Sequence, residues 1–305
     1  GLTSFGCMMS PPLFDRIAVA DWSASASPKT GPDSIWIAVV EDGSCTLSNP
    51  PTRRVALGEM AALAEPGRRT LLGVDFSLGF PSGTAERAGL VGVPWAALWS
   101  HLGASITDDE QNRNNRFDVA QRLNDSMAAR WQRPQRPAGP FWGCPPSKAN
   151  ASLTTTKPNR AQGWPPEWRI VEQQLRSDGR RPFSCWQLLG AGAVGSQSLV
   201  GIAALERLRQ ILGQRLAVWP FDTGLDMPPV TDLVVAEVWP SLWDVTVPIG
   251  VVKDAAQVEA TARRLTHLDA SGELEALFRP RIDEGMESTV VDEEGWVLGV
   301  VGSGN

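Results

Sequence analysis

The amino-acid sequence predicts an α/β protein. Its mixed sheet combines an antiparallel meander with parallel strands, is flanked by helices, and is interrupted by a large basic helical and loop insertion. Three observations carry this expectation. Apolar runs at 17–21, 34–41 and 44–47 follow one another closely, with Asp42-Gly43 between the last two. Asp-Gly between apolar runs is a strong hairpin signal. An alanine- and leucine-rich helical stretch at 55–64, ended by Pro66-Gly67, then separates these runs from the next one, at 70–75. A strand that follows a crossover helix can lie parallel to the first. The third observation is a recurring grammar in which a buried-type apolar run carries an acid. It occurs in Arg16-Ile17-Ala18-Val19-Ala20-Asp21-Trp22-Ser23, in Thr70-Leu71-Leu72-Gly73-Val74-Asp75-Phe76-Ser77, and in Asp232-Leu233-Val234-Val235-Ala236-Glu237-Val238-Trp239-Pro240.

The remaining elements follow in chain order. Residues 76–83, with Gly79, Pro81 and Gly83, read as a loop, and 84–102 as helix broken at Pro94. Residues 112–131 predict a helix with a basic face. Pro, Gly, Asn and Thr dominate 134–166, a long loop of the kind that is usually functional or disordered. A short helix is expected at 165–175 and a strand or loop at 183–189. A helix over 198–212, strands at 215–220 and 233–239, and a helix over 254–265 come next. Ala255, Val258, Ala262 and Leu265 share one face of that last helix. A short helix at 271–277 and a strand-turn-strand over 289–301 close the chain.

A chain of 305 residues buries a large core, as one elaborate domain or two. No apolar run is long enough to span a bilayer. Residues 1–12 lack the basic and apolar regions of a signal peptide, and Gly1 reads as an expression scar. Cys7, Cys45, Cys144 and Cys185 form no Cys-x-x-Cys pair, which argues against zinc and against a disulfide scaffold. A cytoplasmic location is the expectation. With only His101 and His267, and neither in a partner motif, a Ser-His-Asp hydrolase is disfavoured. The net charge of −6 hides an asymmetry: residues 111–181 carry thirteen Lys and Arg against five acids. A basic segment on an acidic body suggests an anionic partner.

A carboxylate set in a buried strand is costly unless something pairs with it. Asp21, Asp75 and Glu237, joined by Asp254 at the start of a late helix, are therefore expected to meet as catalytic and metal-binding residues. Oxygen-only ligands suit Mg²⁺ or Mn²⁺. Such ions activate water and stabilise a leaving oxygen in phosphodiester cleavage. Structural roles stand beside this one: Asp21 as the head of an Asx-turn with Ser23, and Asp254 as a helix N-cap.

The order β-β-β-α-β with Asp on the first and fourth strands resembles RNase H-like folds. More closely, the chain resembles a prokaryotic family of unknown function described as predicted nucleases with an RNase H-like fold. Val19-Ala20-Asp21-Trp22-Ser23, Gly73-Val74-Asp75-Phe76-Ser77-Leu78-Gly79-Phe80-Pro81, Val235-Ala236-Glu237-Val238-Trp239-Pro240 and Asp254-Ala255-Ala256 carry the resemblance. It implies a first core part at 14–84, an insertion at 85–181 and a second core part at 182–305.

Two further features bear on ligands. Gly190-x-Gly192-x-x-Gly195 spells a dinucleotide fingerprint. However, the apolar run before it is very short and no acid closes a second strand at the required distance. The loop can also hold a substrate phosphate through its backbone N–H groups. In the insertion, Arg113, Arg116, Lys148 and their neighbours are interleaved with Trp131, Trp142, Trp164 and Trp168. Basic residues among aromatics suit single-stranded nucleic acid; inward-packed tryptophans under a solvated basic face is the structural alternative. Ser23, Ser77, Arg113, Arg116, Lys148, Gly190 and Gly192 are the substrate-binding candidates. Three functions follow: a metal-dependent nuclease or phosphodiesterase acting on a nucleic acid or nucleotide, a non-catalytic binder of a nucleotide or phosphorylated metabolite, or a dinucleotide-dependent oxidoreductase.

Overall fold

The computed structural model describes residues 11–131 and 136–302. Cys7, the 1–10 part of the N-terminal reading and Arg133 of the basic segment lie outside the described residues. The core is a six-stranded sheet in the order β3-β2-β1-β4-β6-β5. Its strands are β1 (Arg16–Asp21), β2 (Trp36–Glu41), β3 (Ser44–Ser48), β4 (Thr70–Val74), β5 (Leu216–Val218) and β6 (Leu233–Glu237). β1, β2 and β3 form the expected antiparallel meander, turned at Asp42 and Gly43 in left-handed backbone. Helix α1 (Arg53–Ala62) carries the chain across, so that β4 pairs parallel to β1. β6 then pairs parallel to β4, and β5 is added at the edge.

Residue alternation along the strands builds two apolar layers. Ile17 and Val19 face Val258, Ala262 and Leu265 of α7 (Lys253–Ala270). Ala18 and Ala20 face the opposite layer, which contains Trp99 and Leu102 of α3 (Pro94–Ser105) and Leu199, Ile202 and Ala203 of α6 (Val194–Leu212). That layer also takes in Val119, Leu123 and Met127 of α4 (Arg116–Ala129), so the apolar face of the basic segment shares the core of the rest. Pro94 opens α3 at its first turn, where a missing N–H costs no hydrogen bond. The short helices α2 (Thr84–Ala88), α5 (Ile170–Ser177) and α8 (Leu274–Leu277) lie within the expected helical stretches or overlap them.

One element differs in kind. The strand-turn-strand expected over 289–301 is instead α9 (Glu284–Thr289), a wide π-type turn at Val290–Glu294 and a single bridge from Val297 to Glu237. The reason is electrostatic. Glu293 accepts from the N–H groups of Gly83 and Ala85, and Glu294 from those of Ser82 and Ile170. Both carboxylates are drawn inward to cap loops, which a solvent-facing hairpin turn cannot do. Residues 183–189 also form no strand; Gln187 makes only an isolated bridge to Trp142.

Candidate functional site

The sheet register brings the first two acids together. Ala20 pairs with Val74, so Asp21 and Asp75 lie side by side where β1 and β4 end. The Asp75 N–H donates to Ala20 O at 3.2 Å, and Asp75 Oδ1 accepts the Trp22 N–H at 2.9 Å. The two carboxyl groups are hydrogen-bonded to each other. Burial and the facing Asp75 push Asp21 up to about 11, with Asp254 and Asp33 adding to the shift. Burial pushes Asp75 up to about 6, opposed by its hydrogen bonds to Asp21 and Trp22. At neutral pH the pair therefore shares a proton, as like charges in contact must.

Asp254 approaches from the first turn of α7. The N-cap there is Val252, so Asp254 does not cap the helix. Its Oδ2 accepts the Asp33 N–H at 2.7 Å, which ties α7 to the loop between β1 and β2. Arg53 organises the near end of that loop. It is buried, holds Asp108 through Nε–Oδ2 (2.6 Å) and Nη2–Oδ1 (2.7 Å), and donates from Nη1 to Ser23 O (2.9 Å) and Ser25 O (2.8 Å).

Glu237 is placed differently. It pairs in register with Val74, and alternation sets both on the sheet face opposite to Asp21 and Asp75. There Arg169 grips it with two bonds, Nη2–Oε1 at 2.6 Å and Nη1–Oε2 at 2.8 Å. Arg169 is 1% exposed and also binds Glu172 Oε1 (2.9 Å) and Glu294 O (2.9 Å). Burial raises Glu237, and the Arg169 guanidinium counters it. Among the described residues, no three His, Cys, Asp or Glu side chains already converge as a metal site. The nearest arrangement is the Asp21–Asp75 pair with Asp254 beside it.

A cavity of about 620 Å³ opens at this end of the sheet. Asp75 and Glu237, Ser23 and Ser77, Arg116 and the loop 190–193 line it. The cavity thus gathers residues from the loops after β1 and β4, the end of β6 and the start of α6. Asp21 and Asp254 are not in its wall; they join it through Asp75 and Asp33. Arg113 and Lys148 are elsewhere: Arg113 is exposed and pairs with Asp109 at 2.7 Å, and Lys148 pairs with Asp118 at 2.7 Å. Trp164 is buried and packs against Trp131, which favours the inward reading for that tryptophan.

Gly190 and Gly192 are in left-handed backbone, at φ +97° and +78°. A Cβ on Gly195 would meet Cys185 O at 2.3 Å, so the start of α6 lies tight against the preceding loop. No strand leads into this glycine loop, so it is not the strand-turn-helix of a dinucleotide site. Sequence reasoning missed Arg169, Arg53 and Asp33. Only Arg169-x-x-Glu172 left a trace, a pair at helical spacing. Family models, curated proteins and solved structures were compared with the chain, and none matches.

Proposed function

We propose that this protein is a metal-dependent phosphodiesterase of nuclease type, with an RNase H-like core and residues 85–181 as its basic insertion. The observation that carries this reading is the Asp21–Asp75 pair: two carboxyls held in contact at adjacent parallel strand ends, of which Asp75 lines the cavity, with Asp254 on a late helix beside them. Burying two acids in contact is costly, and strongly perturbed acids in a cleft cluster at functional sites. The meander of β1–β3 with β4 parallel to β1 also agrees with the resemblance in the sequence.

Asp21 and Asp75 would hold Mg²⁺ or Mn²⁺, which needs only one or two carboxylates and otherwise keeps its waters. Asp254 would join by turning from the Asp33 N–H. Glu237, neutralised by Arg169, would shape the cavity instead of ligating. The metal would supply an activated water and charge relief at the leaving oxygen. The chain's part is to give up the proton shared by Asp21 and Asp75, to hold the anionic substrate with Arg116 and the 190–193 loop, and to set Ser23 and Ser77 along its path. Nucleic acid, single-stranded, or a nucleotide is the substrate class.

The test is calorimetric titration with Mn²⁺ on the wild type and Asp21→Asn, followed by cleavage assays on single-stranded RNA and DNA. Binding and cleavage in the wild type, both lost in Asp21→Asn, are expected. Full cleavage by Asp21→Asn would reject the assignment. Nucleotide binding without any turnover would favour the non-catalytic binder.

A further inference from the structure

Arg116 is the cation in the cavity wall that lacks a counter-ion. It is 9% exposed. Its Nε donates to Ser196 Oγ (2.9 Å) and its Nη1 to Asn114 Oδ1 (2.9 Å), both neutral partners. No carboxylate among the described residues is in ion-pair contact with it, whereas Arg169 in the same wall is held by both Glu172 and Glu237. Burial and the neighbouring Arg53 pull the Arg116 guanidinium down, to about 10, although Asp108, which is paired with Arg53, acts against them from a distance. Buried charges are normally paired.

Where Arg116 is held sharpens the point. Ser196 sits in the first turn of α6, and its hydroxyl donates onward to Leu188 O. The guanidinium is therefore pinned at the positive end of a 19-residue helix that has no side-chain cap. A cation at a helix N-terminus is unfavourable, and an anion there is favourable. The glycine loop that leads into the helix has spare donors. Ala193, Val194 and Gly195 spend their N–H groups on Gly190, Gly192 and Gln187 carbonyls, but those of Ala191 and Gly192 donate to no group among the described residues. One anion would answer the unpaired guanidinium, the helix dipole and the spare N–H groups together.

We infer that the Arg116 end of the cavity is a subsite for the terminal phosphate of a nucleotide-sized substrate, seated between the Arg116 guanidinium and the Ala191–Gly192 loop. The inference rests on the cavity being the substrate site, and it narrows the substrate class. A cavity of about 620 Å³ has the size of a small-ligand pocket, so it takes a mononucleotide or a frayed strand end and not the middle of a duplex. In a strand end the terminal phosphate lies on the helix side and the next phosphodiester, the bond to be cleaved, lies toward Asp75; a mononucleotide such as 5′-AMP has no such bond and fills the subsite as a product does.

The experiment is calorimetry and thermal unfolding with 5′-AMP, inorganic phosphate and succinate, all in EDTA. Its outcome therefore does not depend on metal binding at Asp21, which the Mn²⁺ titration tests separately. The wild type should bind 5′-AMP and be stabilised by it. Arg116→Gln, checked for folding by circular dichroism, should bind about tenfold more weakly or worse, the usual loss for a charge-assisted contact. Ala193→Asp should block binding by placing a carboxylate in the subsite, and should raise the melting temperature with no ligand present. Ala193 is the N-cap of α6, where an aspartate stabilises the helix in any case, so the loss of 5′-AMP binding, and not the thermal gain, separates the subsite from a purely structural arginine. The inference fails if 5′-AMP does not bind, if folded Arg116→Gln binds it unchanged, or if Ala193→Asp leaves its binding unchanged. Succinate bound as tightly as 5′-AMP would overturn the phosphate assignment, and inorganic phosphate bound as tightly would overturn the nucleotide.

Discussion

Asp21→Asn should make this protein more stable at neutral pH, not less. In the unfolded chain the Asp21 carboxyl loses its proton near 3.8, whereas in the fold burial and Asp75 hold the proton up to about 11. Folding at pH 7.5 must therefore take up a proton. At about 1.4 kcal/mol per pH unit, the uptake costs at most about 5 kcal/mol from 3.8 to 7.5. Asp21 is partly exposed and water relieves some of this, so about 2–3 kcal/mol is the expected net penalty. Asparagine resembles the protonated acid, keeps a donor for Asp75 and titrates in neither state. The sign follows from the raised folded value: the wild type has this contribution in full below pH 3.8 and loses it as pH rises toward 11. The stability gap should hence widen with pH, from under about 1 kcal/mol at pH 4.5 to about 2–3 kcal/mol at pH 7.5. Urea unfolding of both proteins at the two pH values, in EDTA, measures it. An Asn variant that is less stable at pH 7.5, or a gap that does not change with pH, would refute a shared proton at Asp21 and Asp75.

Two other perturbations follow from the side-chain arrangement. Arg169→Ala strands Glu172 and Glu237 in the interior and should cost about 3–5 kcal/mol at pH 7.5, the usual loss when one partner of a buried pair is removed. Freed of the guanidinium, Glu237 is left with burial raising it, so the loss should shrink at pH 5 as it takes a proton; urea unfolding at both values checks this, and a pH-independent cost would count against it. Arg113→Gln with Lys148→Gln, two exposed cations paired outside the cavity, should shift stability by under about 1 kcal/mol and leave 5′-AMP binding unchanged in the same calorimetry, and a marked loss of binding would move the substrate path out of the cavity.

Much of the sheet could be read from the chain because its information is local. The Asp42-Gly43 hairpin, the crossover after Pro66-Gly67 and the unbroken apolar runs each specify a strand or a connection without reference to anything distant. The place of Asp21 and Asp75 was legible for the same reason, since two strand ends in adjacent parallel strands must meet. The role of Glu237 was not. Its run looks like the other two, but its residue parity in register with Val74 puts it on the other face, and parity emerges only once pairing is fixed. The 289–301 segment misled by the same route. Glu294-Gly295 looks like a hairpin turn until Ser82 and Ile170, far away in sequence, supply the donors that pull Glu294 inward. Arg116 lies between these cases. Its charge and helix are visible in the sequence, but that its hydrogen bonds go to the neutral Ser196 and Asn114 and not to a carboxylate is not, because this is a property of everything packed around it. Of the acids that resemble a motif, Asp75 and Glu237 line the cavity. The arginine that resembles its basic neighbours is set apart from Arg113 only by burial beside α6, and this makes it the residue on which the choice of substrate turns.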